Sequence, residues 1–171
     1  TASLTFNFVT INVNLDEKKL YSHKLSAQIY DKNDNEVKNV LPTSYRETVD
    51  ISKLSPYVKQ AFIDVEDRRF FSHKGFDTKR MLKAAYKNLL SRSFKEGAST
   101  ISQQLIKNTH LTHEKTIKRK LKELKLTAQL EKRFNKKEIL EKYLNTIYFG
   151  HSCFGIKAAA KFYFDKSPAE L

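Results

Sequence analysis

The chain has 171 residues, 40% of them hydrophobic, which is enough for one sizeable core and, by length, one domain. Its formal charge of +13 calls for an anionic partner (nucleic acid, an acidic membrane surface or a phosphorylated substrate) without choosing among them. The single cysteine, Cys153, excludes an internal disulfide, and the longest apolar-rich run, Leu4 to Leu15, falls short of the roughly 20 residues that span a bilayer.

Four glycines and three prolines interrupt stretches rich in Lys, Leu, Glu and Ala, a balance that predicts a mainly α fold. Residues 1–50 read as an extended N-terminal arm. Leu4, Phe6 and Phe8, then Val9, Ile11, Val13 and Leu15, alternate like a strand with one bulge. From Ser26 to Val40, two β-compatible runs flank the Asn/Asp cluster at Asn33 to Asn35, the pattern of a hairpin.

At Ser55 the period becomes helical. Ser55 suits a cap and Pro56 the first helical position, and Tyr57, Val58, Ala61, Phe62 and Val65 share one side of a helix reaching about Asp67. A basic amphipathic helix starts near Asp77. Thr100 with Gln103, and Asn135 with Glu138, have capping-box spacing, which predicts helices after Thr100, over 114–134 and over 136–149. Gly150 is expected to end the last of these. Ile156 to Phe164 reads as one more helix, and Ser167-Pro168 as the start of another.

Few of these residues could carry chemistry. Glu66 falls at the edge of its helix's apolar stripe, where desolvation would make it a better base; an ordinary boundary carboxylate paired with Arg68 or Arg69 is the plainer reading. In the helix over 114–134, Ile117, Leu121, Leu124 and Ala128 form one apolar face. Arg119, Glu123, Leu126 and Leu130 line the opposite one, with Lys115 a turn earlier. That second face is either a solvated charged stripe or the wall of a phosphate-handling cleft. EGASTISQQ sets hydroxyls and amides at a helix start, where free N–H groups favour an anion, although capping alone accounts for Thr100 and Gln103. Five scattered histidines form no metal-binding pair, and neither a nucleophile elbow nor a P-loop occurs.

In order and spacing, EDRRFFSHKG, EGASTISQQLIKN, RKLKE, KKEILEKYLN and the stretch from Gly150 through GIKAAAKFYF resemble the five motifs of glycosyltransferase family 51. This family comprises the peptidoglycan glycosyltransferase domains of class A penicillin-binding proteins and the monofunctional transglycosylases. The likeness covers about Val58 to Leu171, with Ala98 and Ser102 as small departures from glycine and threonine.

The resemblance implies a lysozyme-like helical glycosyltransferase domain over 51–171 with a smaller membrane-associated lobe that includes Thr78 to Phe94. It implies polymerisation of lipid II onto a lipid-linked glycan strand, with inversion and release of undecaprenyl pyrophosphate. On the matching positions, Glu66 is the general base and Glu123 a second catalytic glutamate, which orients cations or holds a divalent ion such as Mg or Mn. Ser99, Thr100, Gln103, Gln104, Lys107, Lys115, Arg119 and Lys120 bind substrate. No nucleotide or organic cofactor and no nucleic acid are expected. The likeness further implies residence at the outer face of the bacterial cytoplasmic membrane, with an anchor helix outside this chain; it leaves open whether a transpeptidase domain follows, as in the class A proteins, or none, as in the monofunctional ones. A lysozyme-like hydrolase would need two carboxylates flanking one bond, and the cations around Glu123 argue against it. A nucleic-acid-binding module would account for the charge and for nothing else.

Overall fold

The computed structural model describes residues 12–21, 32–33, 45–91, 97–112, 114 and 116–171. Most of the expected strand at the N-terminus, most of the expected hairpin, and Lys115 lie outside the described residues.

Seven helices account for most of what is described: α1 (Glu17–Tyr21), α2 (Pro56–Glu66), α3 (Thr78–Ser91), α4 (Ile101–His110), α5 (Ile117–Arg133), α6 (Lys136–Thr146) and α7 (Ile156–Phe164). The one sheet among the described residues is minimal, with β1 (Tyr45–Arg46) beside β2 (Cys153–Phe154) in parallel. The mainly α expectation holds.

Local chemistry sets the helix starts. The Ser55 side chain accepts from Tyr57 N ahead of Pro56, and both expected capping boxes form, at Thr100/Gln103 and Asn135/Glu138. α5 begins later than expected because Thr116 caps it, its side chain accepting from Arg119 N. α6 stops earlier, at Thr146. Ile147 turns extended, and Phe149 N then donates to Cys153 O, so Gly150 works as a loop residue at φ +88° rather than as a helix terminator. Ser167 and Glu170 bond each other as a cap would.

The core forms where α4 packs against α6 and α5. Ile101, Leu105 and Ile106 from α4, Leu126 and Leu130 from α5, and Ile139, Leu140 and Leu144 from α6 are all buried there. Each such side chain contributes about 1.5–3 kcal/mol. Cys153 is buried, its thiol facing His151 O, with burial pushing its pKa up.

Two expected faces differ from the observed ones. On α2, Val58 and Phe62 turn inward as expected and Ile63 joins them, whereas Tyr57, Ala61 and Val65 of the expected face are exposed. Glu66 therefore lies within the inward face rather than at its edge. On α5 the buried set is Glu123, Leu126, Thr127 and Leu130, whereas Ile117 is exposed and Leu121, Leu124 and Ala128 are half-buried. The face carrying the cations and the carboxylate is thus the one that meets the core.

The segment before α1 is also tied down. The Gln129 side chain receives Leu15 N at 2.7 Å and donates to Val13 O at 3.1 Å, the pair of bonds a neighbouring strand would supply. Leu15 and Leu20 are buried in the main core, and residues 12–21 bond to side chains of α4, α5 and α6.

Candidate active site

α4 builds the site, since its N-terminal half holds two consecutive glutamines that reach in different directions. Gln104 Nε2 donates to Glu66 Oε2 at 2.7 Å, and Gln103 Nε2 donates to Glu123 Oε1 at 3.2 Å. One turn of helix thereby fixes both carboxylates that the sequence singles out. Ser99, Gln103, Gln104, Lys107, Asn108 and Glu123 line a cleft of about 150 Å³. Glu66 stands one hydrogen bond away, behind Gln104.

Glu123 is almost fully buried, and a charge in that position needs partners. It has them: Arg119 Nη1 donates to Oε2 at 3.0 Å, and Lys120 Nζ pairs with Oε1. Arg119 Nε is buried without a hydrogen-bond partner, a donor suited to an anionic oxygen. Glu66 is half-buried, and Arg69, one of the two arginines considered as its partner, is paired with Asp77 instead. Among the described residues Glu66 has no salt bridge to Arg68 either.

The residue after Glu66 locks the geometry. Asp67 is fully buried and accepts from Ile101 N at 3.1 Å, so it joins the end of α2 to the start of α4. Both its oxygens lie within 3.0 Å of His73 Nε2, while Gly75 N donates to His73 Nδ1 at 3.1 Å. Nδ1 is therefore an acceptor, and Nε2 carries the proton toward Asp67. Thr100 continues the chain of contacts by donating to Gly75 O at 2.7 Å. Its hydroxyl is buried beneath the cleft and committed to the protein, unlike that of Ser99.

Tyr143 on α6 is a further site residue, absent from the sequence-derived candidates. Its hydroxyl donates to Gln104 Oε1 at 3.2 Å, which leaves the amide nitrogen of Gln104 to face Glu66. Burial, then the charges of Glu66 and Asp67, push the Tyr143 pKa well above its ordinary value, so the phenol remains a proton donor. Asp67, His73 and Asn108 were likewise not among the candidates. The Asp67–Ile101 bond spans 34 residues, which a linear spacing does not show, whereas His73 bonds its near neighbours Asp67 and Gly75, and Asn108 lines the cleft. Lys115 lies outside the described residues.

Among the described residues no group of three or more His, Cys, Asp and Glu side chains gathers to hold a metal ion. The two oxygens of Glu123 already accept from an amide and two cations, a setting that suits a positioned carboxylate better than a metal ligand.

The family described as Transglycosylase matches residues 33–171, and the chain belongs to it. The chain is 46% identical to penicillin-binding protein 1F of Bacillus subtilis over 157 residues, 92% of this chain and 22% of that protein. It is 44% identical to penicillin-binding protein 1A of Clostridium tetani over 161 residues, again 92% of this chain and 20% of that one. It thus spans about a fifth of the length of these relatives, and the family match takes in residues 33–50 of the segment expected to be a separate arm.

Proposed function

We propose that this chain is a peptidoglycan glycosyltransferase that polymerises lipid II into β-1,4-linked glycan, with inversion at the donor's anomeric carbon and release of undecaprenyl pyrophosphate. The observation carrying the reading is the pair of carboxylates held by adjacent glutamines, one among cations and one not. Glu66, with no cation on its carboxylate among the described residues, takes the proton from the acceptor's 4-hydroxyl as that oxygen attacks. General-base help of this kind contributes about 10²- to 10⁴-fold. The leaving pyrophosphate needs positive charge rather than a proton. Arg119 and Lys120, oriented by Glu123, and Lys107 at the cleft's rim supply it; Ser99, Gln103 and Gln104 present hydrogen-bonding groups to sugar and phosphate oxygens. Lys115 belongs to the same group by resemblance. Any Mg or Mn ion taking part is assigned to the pyrophosphate rather than to Glu123, whose oxygens are already engaged.

A lipid-linked substrate requires a chain that meets a membrane. No described helix is long and apolar enough to cross one. α3 has the character of an interfacial helix instead: Leu82, Tyr86, Leu89 and Leu90 are largely exposed among Lys79, Lys83 and Lys87. We place the domain at the outer face of the bacterial cytoplasmic membrane, in a longer chain with an anchor and, as the relatives' names suggest, a penicillin-binding transpeptidase domain.

Purified lipid II in detergent or vesicles tests the function, run with and without a chelator. The expected products are glycan polymer and one undecaprenyl pyrophosphate per linkage. Release of free disaccharide without polymer would instead identify a hydrolase.

A further inference from the structure

A second groove, distinct from the cleft, lies at the α2–α3 junction. Its volume is about 430 Å³, and it runs between the last turn of α2 and the first turns of α3. Five cations line it against two carboxylates, Asp64 and Asp77. Asp77 is consumed by Arg69, whose Nε donates to it at 2.9 Å, and by Arg80 N at 2.8 Å. Asp64 accepts from Gln60 at 3.0 Å. Arg68, Lys79 and Lys83 have no ion-pair partner among the described residues, so three positive charges converge on one groove uncompensated.

The groove also adjoins apolar surface. Val65 is an exposed apolar side chain in its wall. On α3, Lys79 and Lys83 lie one turn apart, and the arc directly beside them carries Leu82, Tyr86 and Leu89, all more than 60% exposed. Ala84, buried, marks the opposite side, toward the protein. A nucleotide or a soluble anion would use the cations and leave the leucines in water. An anionic phospholipid uses both.

We propose that this groove binds the headgroup phosphate of an anionic membrane phospholipid, between Arg68, Lys79 and Lys83, with the acyl chains along Leu82, Tyr86 and Leu89. Arg80, at the groove's inner end, donates from Nη1 to the carbonyl oxygen of Glu66, so groove and cleft meet at the end of α2. The site is separate from the pyrophosphate cations on α4 and α5. It rests on the membrane reading above but not on the chemistry assigned to Glu66.

The test uses the full chain and substrate-free vesicles of phosphatidylcholine alone or with phosphatidylglycerol, read by co-sedimentation. The triple variant Arg68→Ala, Lys79→Ala, Lys83→Ala is compared with an equal-charge control, Lys132→Ala, Lys137→Ala, Lys166→Ala, taken from exposed positions elsewhere. Arg69 and Arg80 keep their bonds in both, so each variant should melt like the wild type. The wild type should prefer phosphatidylglycerol vesicles, the groove variant should lose that binding by about tenfold or more, and the control by about threefold or less. Equal loss in the two variants, or no preference for phosphatidylglycerol, overturns the groove. A wild type that binds neither vesicle overturns the membrane reading as well, and none of these outcomes touches the polymerisation assay.

Discussion

At the scale of single residues, the account turns on who holds the two carboxylates. Tyr143 donates to Gln104, and Gln104 donates to Glu66; removing the hydroxyl in Tyr143→Phe leaves a half-buried acceptor unmatched and frees the glutamine amide to flip. The variant should lose about 1–3 kcal/mol in urea denaturation and several-fold in polymerisation rate. Lys107 makes the opposite case. It is exposed at the rim of the cleft and, among the described residues, makes no ion pair, so Lys107→Ala should leave the melting temperature unchanged and still weaken donor use. Lys18→Ala, equal in charge but on α1, is the control: similar losses in kcat/KM for both would reduce the effect to bulk electrostatics. Of this network the sequence yields only some members. Glu66, Gln103, Gln104 and Glu123 are readable as motif residues, but the bonds from Tyr143 and Asp67 join positions 39 and 34 residues apart.

At the scale of elements, most helix starts set by local chemistry were legible, although the Thr116 cap was not, and faces set by tertiary contact were not. Caps at Ser55, Thr100 and Asn135 depend on residues within one turn, and they form where the spacing placed them. The inward face of α2 was misread because Tyr57, Ala61 and Val65 are as apolar as the residues that turn inside, and only the rest of the molecule decides between them. A basic amphipathic helix such as α3 suits either a core edge or a membrane interface. With Leu89 and Leu90 at 77% and 66% exposure, replacing both by Ser should leave thermal stability nearly unchanged and reduce liposome binding. A large drop in melting temperature with unchanged binding would contradict this. Gly155, just ahead of α7, is constrained in the other sense: its φ is +84°, and an added Cβ would lie 2.9 Å from Asn145 O. Gly155→Ala should therefore destabilise by about 2 kcal/mol or more, read from denaturant midpoints.

At the scale of the whole molecule, three long-range ties turn separate motifs into one cleft. Asp67 binds the end of α2 to the start of α4, Gln103 binds α4 to α5, and Tyr143 binds α6 back to α4. Helical class and the order of the motifs were available from sequence. The packing of residues 12–21 against α5 and α6 was not, because Gln129 and Arg133 receive that segment from more than a hundred residues away and nothing in either stretch marks the other. What this assembly achieves, on the present account, is an uncrowded carboxylate beside a cation-lined one. The direct measurement is polymerisation of lipid II by Glu66→Gln, with lipid II binding and circular dichroism recorded on the same preparation. Glutamine keeps the shape and can still bond Gln104, so fold and binding should stay close to wild type while the polymerisation rate falls by about 10² or more. A correctly folded variant with a rate within a few-fold of wild type would contradict the assignment of Glu66 as the base.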